Sequence, residues 1–131
     1  MDGADRTRRA KARITRSGDF DAVYRRGRSA AGRHLVVYVF QREEGALAGA
    51  PRCGMSISKR VGGAVERNRI KRVLKEHFAA IADGLPLGID LVIIARPGAN
   101  EYLEEQGGAA LGERMRELIE RVTGDAVRVA S

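Results

Sequence analysis

Ser58-Lys59-Arg60-Val61-Gly62-Gly63-Ala64-Val65-Glu66-Arg67-Asn68-Arg69-Ile70-Lys71-Arg72-Val73-Leu74-Lys75-Glu76-His77-Phe78 sets seven Lys or Arg against two Glu behind a Gly-Gly pair. From Ala64 onward Ile70, Val73, Leu74, Phe78 and Ile81 recur at helical intervals, so they gather on one side of a helix. On the same wheel Asn68, Lys71, Arg72 and Lys75 fall on the opposite side. The spacing predicts a helix over about 64–82, with a stripe to bury and a stripe of cations to offer a polyanion. A helix with one apolar stripe needs a surface to lie on, and the flanking sequence supplies it.

Upstream, His34 to Gln41 alternates as a strand, with Leu35, Val37 and Val39 on one face and His34, Val36, Tyr38 and Phe40 on the other. Arg52 to Ser58 reads as a second strand, with Cys53, Met55 and Ile57 opposite Gly54, Ser56 and Ser58. The Glu-, Gly- and Ala-rich stretch between Glu43 and Pro51 reads as a hairpin connection joining the two. Small residues of the second strand beside Tyr38 and Phe40 would leave a shallow trough for a flexible RNA strand. Downstream, Gly84 and Pro86 end the basic helix. Ile89 to Arg96 is nearly continuous in apolar residues and so is expected at the centre of the sheet.

Tyr102 to Val122 is interrupted by Gly107-Gly108, but Leu111, Met115, Leu118, Ile119 and Val122 form the stripe of a closing amphipathic helix. Near the start, Ser17 is placed as an N-cap, Phe20, Val23 and Tyr24 follow at helical spacing, and Gly27 ends a short helix. Residues 1–12 are polar, basic and aperiodic, which predicts a disordered arm, and residues 124–131 read as a frayed tail. The expected architecture is a single α+β domain over 13–123. Helices cover one face of a mixed, mainly antiparallel sheet of about four strands, in the order helix, two or three strands, helix, strand, helix.

With 131 residues the chain is long enough for a core without disulfides or metal. It carries 24 Lys and Arg against 17 Asp and Glu, a net charge of +7. The charge is polarised: residues 1–33 hold ten Lys or Arg against four acids, and residues 97–131 hold four Arg against seven. Apolar runs such as Leu91 to Ala95 are far too short to span a bilayer. The basic N-terminus has no apolar run of a secretory signal after it, so the expected location is cytoplasmic. Cys53 is the single cysteine, which excludes an internal disulfide and a multi-cysteine zinc site, and neither His34 nor His77 has a partner at ligand spacing.

Catalysis by this chain alone finds no support in its residues. There is no Ser, His and acid set with plausible placement, no histidine pair for acid-base cleavage of RNA and no strong carboxylate cluster in the basic region. Gly62-Gly63 lacks the spacing of a nucleotide-binding fingerprint and reads as a tight turn. The start of the following helix, with its free N–H groups beside Arg67 and Arg69, is an expected anion site. Asn68 adds an amide suited to a phosphate, a 2′-hydroxyl or a water on a bound metal. A solvated charged face and ordinary core packing are the plain alternatives for the helix and for the aromatic residues.

These residues resemble the protein subunit of bacterial ribonuclease P. The match rests on Ser58-Lys59-Arg60-Val61-Gly62, Ala64-Val65 and the Arg67-Asn68-Arg69-Ile70-Lys71-Arg72 motif, supported by Asp19-Phe20, Val23, Gly27, the strand from Arg33 and the strand ending at Arg96. Gly63 stands where the family usually has Asn, so a side-chain contact from that position does not carry over. The resemblance implies a small basic protein bound to a large catalytic RNA, the two together removing the 5′ leader from precursor tRNA. The RNA performs the hydrolysis with Mg2+ that it mainly binds itself, and the protein strengthens binding of substrate and metal ions.

By position, Lys59, Arg60, Arg67, Asn68, Arg69, Lys71 and Arg72 would face the catalytic RNA. Phe20, Tyr24 and Tyr38 would line the cleft for the single-stranded leader. The family fold also implies a left-handed βαβ crossover that carries the motif helix, against the usual handedness. No catalytic or metal-ligating residue and no protein or membrane partner is expected of this chain. The competing readings are a ribosomal-type or general RNA-binding protein with no part in tRNA maturation, and a small nuclease acting alone.

Overall fold

Ile89–Ala95 organises the sheet: six of its seven residues are buried, so both its faces and both its edges are in use. The structure, a computed structural model, describes residues 28–42 and 49–124. Among the described residues there are four strands: β1 (Arg28–Ala31), β2 (Leu35–Gln41), β3 (Arg52–Ile57) and β4 (Ile89–Ala95). Three α-helices accompany them among the described residues: α1 (Ala64–Ile81), continued by a 3-10 turn at Ala82–Gly84, α2 (Ala99–Gln106) and α3 (Gly108–Thr123). The sheet order is β1-β2-β4-β3. Both seams of β2 are antiparallel, and β3 runs parallel to β4. This is the expected mixed, mainly antiparallel α+β architecture with β4 in an interior position.

Two expectations about the strands need correction. Glu43 to Pro51 does not close a hairpin, because β4 lies between β2 and β3 and pairs with both, Tyr38 with Val92 and Gly54 with Val92. A strand as nearly continuous in apolar residues as β4 loses less free energy between two neighbours than at an edge, where its backbone groups and side chains would meet water. The small residues of β3 are therefore one strand removed from Tyr38 and Phe40, with Val92 and Ile94 in between. The extra strand is β1, paired with β2 from Arg28 opposite Val39 to Ala31 opposite Val36. Its Arg-Ser-Ala-Ala sequence has no alternating apolar pattern to announce it.

The main core lies on the face of Leu35, Val37, Val39, Cys53, Leu91 and Ile93. Helix α1 sets Ile70, Leu74, Phe78 and Ile81 against it, and α3 sets Leu111, Met115, Leu118, Ile119 and Val122. Full burial of such side chains contributes about 1.5–3 kcal/mol each, which is what fixes the roll of α1 about its axis. Val73 is half-buried at the margin of this stripe, and Asn68, Lys71, Arg72 and Lys75 are exposed, as the wheel requires. Helices α1 and α3 cross closely at Gly112, where an added Cβ would lie 2.3 Å from Cγ of His77. The break expected at Gly107-Gly108 is real: Gly107 has φ 91°, and its N–H caps α2 by donating to the Leu103 carbonyl at 2.8 Å.

On the opposite face Val92 is fully buried, with Tyr38, Phe40 and Ile94 packed around it. The same face carries Asp90, 2% exposed, between two arginines. Arg52 grips it with both Nε and Nη2, at 2.8 and 2.6 Å, and Arg42 Nη1 donates to it at 2.6 Å. Arg42 further donates to the Ile89 and Ala50 carbonyls, tying the ends of β2, β3 and β4 together. His34 does not join this face. It precedes β2 and stacks on Tyr102 of α2, with ring centroids 4.4 Å apart.

Candidate nucleic-acid interface

The cationic surface begins in the turn before α1. Val61 is buried, and its N–H donates to the Ser58 carbonyl at 3.1 Å, which leaves Lys59 and Arg60 exposed. At the helix start the Gly63 N–H donates to Oε1 of Glu66 at 2.7 Å. The anion site expected there is thus partly answered by a carboxylate of the chain itself. A Cβ at position 63 would sit 2.8 Å from that oxygen, so any side chain here has to move Glu66.

In the turn and along α1 the seven residues expected to face RNA divide into four groups. Lys59 and Arg60 extend from the turn, and Asn68, Lys71 and Arg72 are exposed on the helix in line with Lys75. Arg67 is half-buried, and its side chain has no hydrogen-bond or ion-pair partner among the described residues; its Nε is buried. Arg69 is different. Its Nη2 donates to Oδ1 of Asn100 at 2.8 Å and lies 3.5 Å from a carboxylate oxygen of Glu104. Asn100 Nδ2 in turn donates to Glu104 at 3.3 Å.

Asn100 and Glu104 escaped the sequence reading. The signal was present only as two polar residues four apart on α2, and nothing local says that they meet a residue of α1. The cations of α3 are used differently: Arg116 hydrogen-bonds Glu113, which holds that carboxyl below its usual range, and it also pairs with Glu120. Charge on α3 is largely cancelled within the helix, whereas on α1 most of it is directed outward.

Of the aromatic residues expected around the leader, Phe20 and Tyr24 lie outside the described residues. Tyr38 is half-buried on the face of Val92, and Phe40 is beside it on the same strand. Among the described residues no three His, Cys, Asp or Glu side chains come together as metal ligands. Asp90, the buried carboxylate, is committed to Arg42 and Arg52. Burial pushes the Cys53 thiol far above its ordinary range, so it stays protonated and behaves as a core residue.

A ridge of outward cations on a helix, laid on a mixed sheet, defines a polyanion-binding α+β protein. Residues 9–122 match the family model for ribonuclease P. The ribonuclease P protein component of Brevibacillus brevis is 46% identical over 86 residues, which cover 66% of this chain and 66% of that protein. That of Bacillus cereus strain B4264 is 41% identical over 96 residues, 73% of this chain and 81% of its own. The fold is similar to that of a Staphylococcus aureus RNase P protein mutant with defective mRNA degradation activity, with a TM-score of 0.77 and 29% identity across 93% of each chain.

The chain belongs to the ribonuclease P protein family. Its role is that of the protein subunit of an endoribonuclease that removes the 5′ leader from precursor tRNA, working with the ribonuclease P RNA. In this family the RNA performs the hydrolysis, in a metal-dependent holoenzyme. No helix among the described residues is long and apolar enough to cross a membrane.

Proposed function

We propose that this chain grips the catalytic RNA through Lys59, Arg60, Arg67, Asn68, Arg69, Lys71 and Arg72, and holds the single-stranded leader on the sheet face of Tyr38 together with Phe20 and Tyr24. The observation that carries the RNA contact is the exposed row of Asn68, Lys71, Arg72 and Lys75, continuous with the Lys59-Arg60 turn. Lysine and arginine on such a row displace condensed counterions from phosphates, so affinity arises largely from counterion release. Arg69 joins the row from a fixed position, because Asn100 and Glu104 hold its guanidinium. The leader contact rests on Tyr38, whose ring lies beside Phe40 on a face remote from α1. Stacking of unpaired bases on such rings contributes about 1–3 kcal/mol per base without regard to sequence.

In this reading the protein supplies position and charge, the RNA supplies Mg2+ and chemistry, and the assembly works in the cytoplasm. The decisive measurement mixes the full chain with its cognate catalytic RNA at low magnesium and follows precursor-tRNA cleavage. Faster cleavage is expected, and no gain would refute the reading. Binding of leader-bearing and mature tRNA to the complex isolates the leader contact: equal affinity would remove Tyr38 from its assigned place.

A further inference from the structure

A second concave surface lies on the helix side of the sheet, between the β1–β2 turn and helices α2 and α3, with a volume of about 550 Å³. That is within the roughly 300–1,000 Å³ of small-molecule sites. Its floor is apolar, made by Leu35 and Leu118, both buried. Its wall is the His34–Tyr102 pair, with ring planes 29° apart. Burial and the neighbouring Arg33 hold His34 below its usual range, so at neutral pH the ring is uncharged and offers a π-face.

The rim is cationic. Arg114 is paired with Glu117 at 3.0 Å and contributes little net charge. Arg33 is exposed and makes no side-chain hydrogen bond or ion pair among the described residues. Arg121 reaches only the Ala31 carbonyl, at 3.5 Å, and leaves its remaining donors unspent. Flat rings over an apolar floor with two available guanidinium groups at the edge match a base joined to a phosphate. A bare anion would have no use for the rings, and an apolar ligand would have none for the arginines.

The place is distinct from both surfaces assigned above. Tyr102 points to His34, whereas Asn100 and Glu104, two residues to either side of it on α2, meet Arg69 of α1. Tyr38 is on the other face of the sheet.

We propose that this cleft takes an unpaired nucleotide, its base against the His34–Tyr102 pair and its phosphate between Arg33 and Arg121. The nucleotide is either a looped-out residue of an RNA strand or a free mononucleotide, and the chemistry that recognises it is the same.

The test is a titration of the full chain followed by aromatic and amide NMR, with four probes: adenosine 5′-monophosphate, adenosine, inorganic phosphate and a single-stranded adenosine hexanucleotide. The expected result is a saturable shift of the His34 and Tyr102 ring signals with the mononucleotide, the hexanucleotide or both, and weaker shifts with adenosine. Saturation by the hexanucleotide alone assigns the site to a strand, and saturation by the mononucleotide assigns it to a free nucleotide. Arg33→Ala with Arg121→Ala should weaken binding about tenfold or more, the loss expected for charge-assisted contacts.

Tyr102→Leu, which keeps the volume apolar, should remove the preference for the mononucleotide over phosphate while the amide spectrum elsewhere is unchanged. The proposal is overturned if inorganic phosphate shifts the rings as strongly as the mononucleotide. It is equally overturned if neither the mononucleotide nor the hexanucleotide shifts the His34 and Tyr102 rings, even where the hexanucleotide shifts Tyr38 and α1, an outcome that leaves the leader and RNA contacts intact.

Discussion

Arg69 donates to Asn100 at 2.8 Å, so the second arginine of the motif is oriented from another helix. Asn100 is 8% exposed and cannot itself reach far into a partner. Two substitutions should therefore weaken RNA binding in different ways. Arg69→Ala should remove the proposed phosphate contact and lower the slope of log affinity against log salt by about 1. Asn100→Ala should weaken binding severalfold with the slope unchanged, because the charge remains and only its position is lost. Filter binding of the catalytic RNA at a series of salt concentrations separates the two, and equal slopes for the two variants would contradict the assignment.

Glu66 places a negative charge at the start of the cationic ridge, where it accepts from the Gly63 N–H. Glu66→Gln keeps an acceptor for that N–H and removes the charge. Helix stability should fall by no more than the roughly 0.3–1 kcal/mol of a carboxylate at a helix N-terminus. RNA affinity should rise about twofold or more, most visibly at low salt where charge is least screened. Unchanged affinity at low salt would place the RNA away from this end of α1.

Asp90 serves stability rather than recognition. Asp90→Asn breaks its pairing with Arg42 and Arg52 inside the protein, and loss of one partner of a buried pair costs about 3–5 kcal/mol. Because Arg42 keeps its bonds to the Ile89 and Ala50 carbonyls, the lower end of that range is expected. Urea unfolding provides the measurement, and a loss well below 1 kcal/mol would show that the pair is unimportant.

Gly112 is the point where α3 can approach α1. Gly112→Ala drives a methyl group into the His77 ring and should cost about 1–3 kcal/mol by overpacking. His77→Ala in the same chain should recover part of that loss, so a double-mutant cycle reads the clash directly. Strict additivity of the two substitutions would mean that the helices separate without resistance.

The period of Ile70, Leu74, Phe78 and Ile81 made α1 legible down to its exposed residues, because burial of a stripe leaves one orientation for the rest. The nearly continuous apolar run of β4 likewise announced an interior strand. What stayed hidden depends on contacts far apart in the chain. β1 owes its existence to pairing with β2, not to its own Arg28-Ser29-Ala30-Ala31, and β2 and β3 look like a hairpin until β4 is placed between them. The tether of Arg69 spans 31 residues and joins two helices whose polar faces, read singly, look solvated.

The insertion of β4 between β2 and β3 also bears on how the protein is made. Until residues 89–95 leave the ribosome, only β1 and β2 can pair among the described strands, and β3 has no neighbour to accept it. The nascent chain must carry the open edges of β2 and β3 until then, and open edges invite pairing with other chains. A message truncated before Ile89 would therefore yield a sticky fragment rather than a smaller working domain.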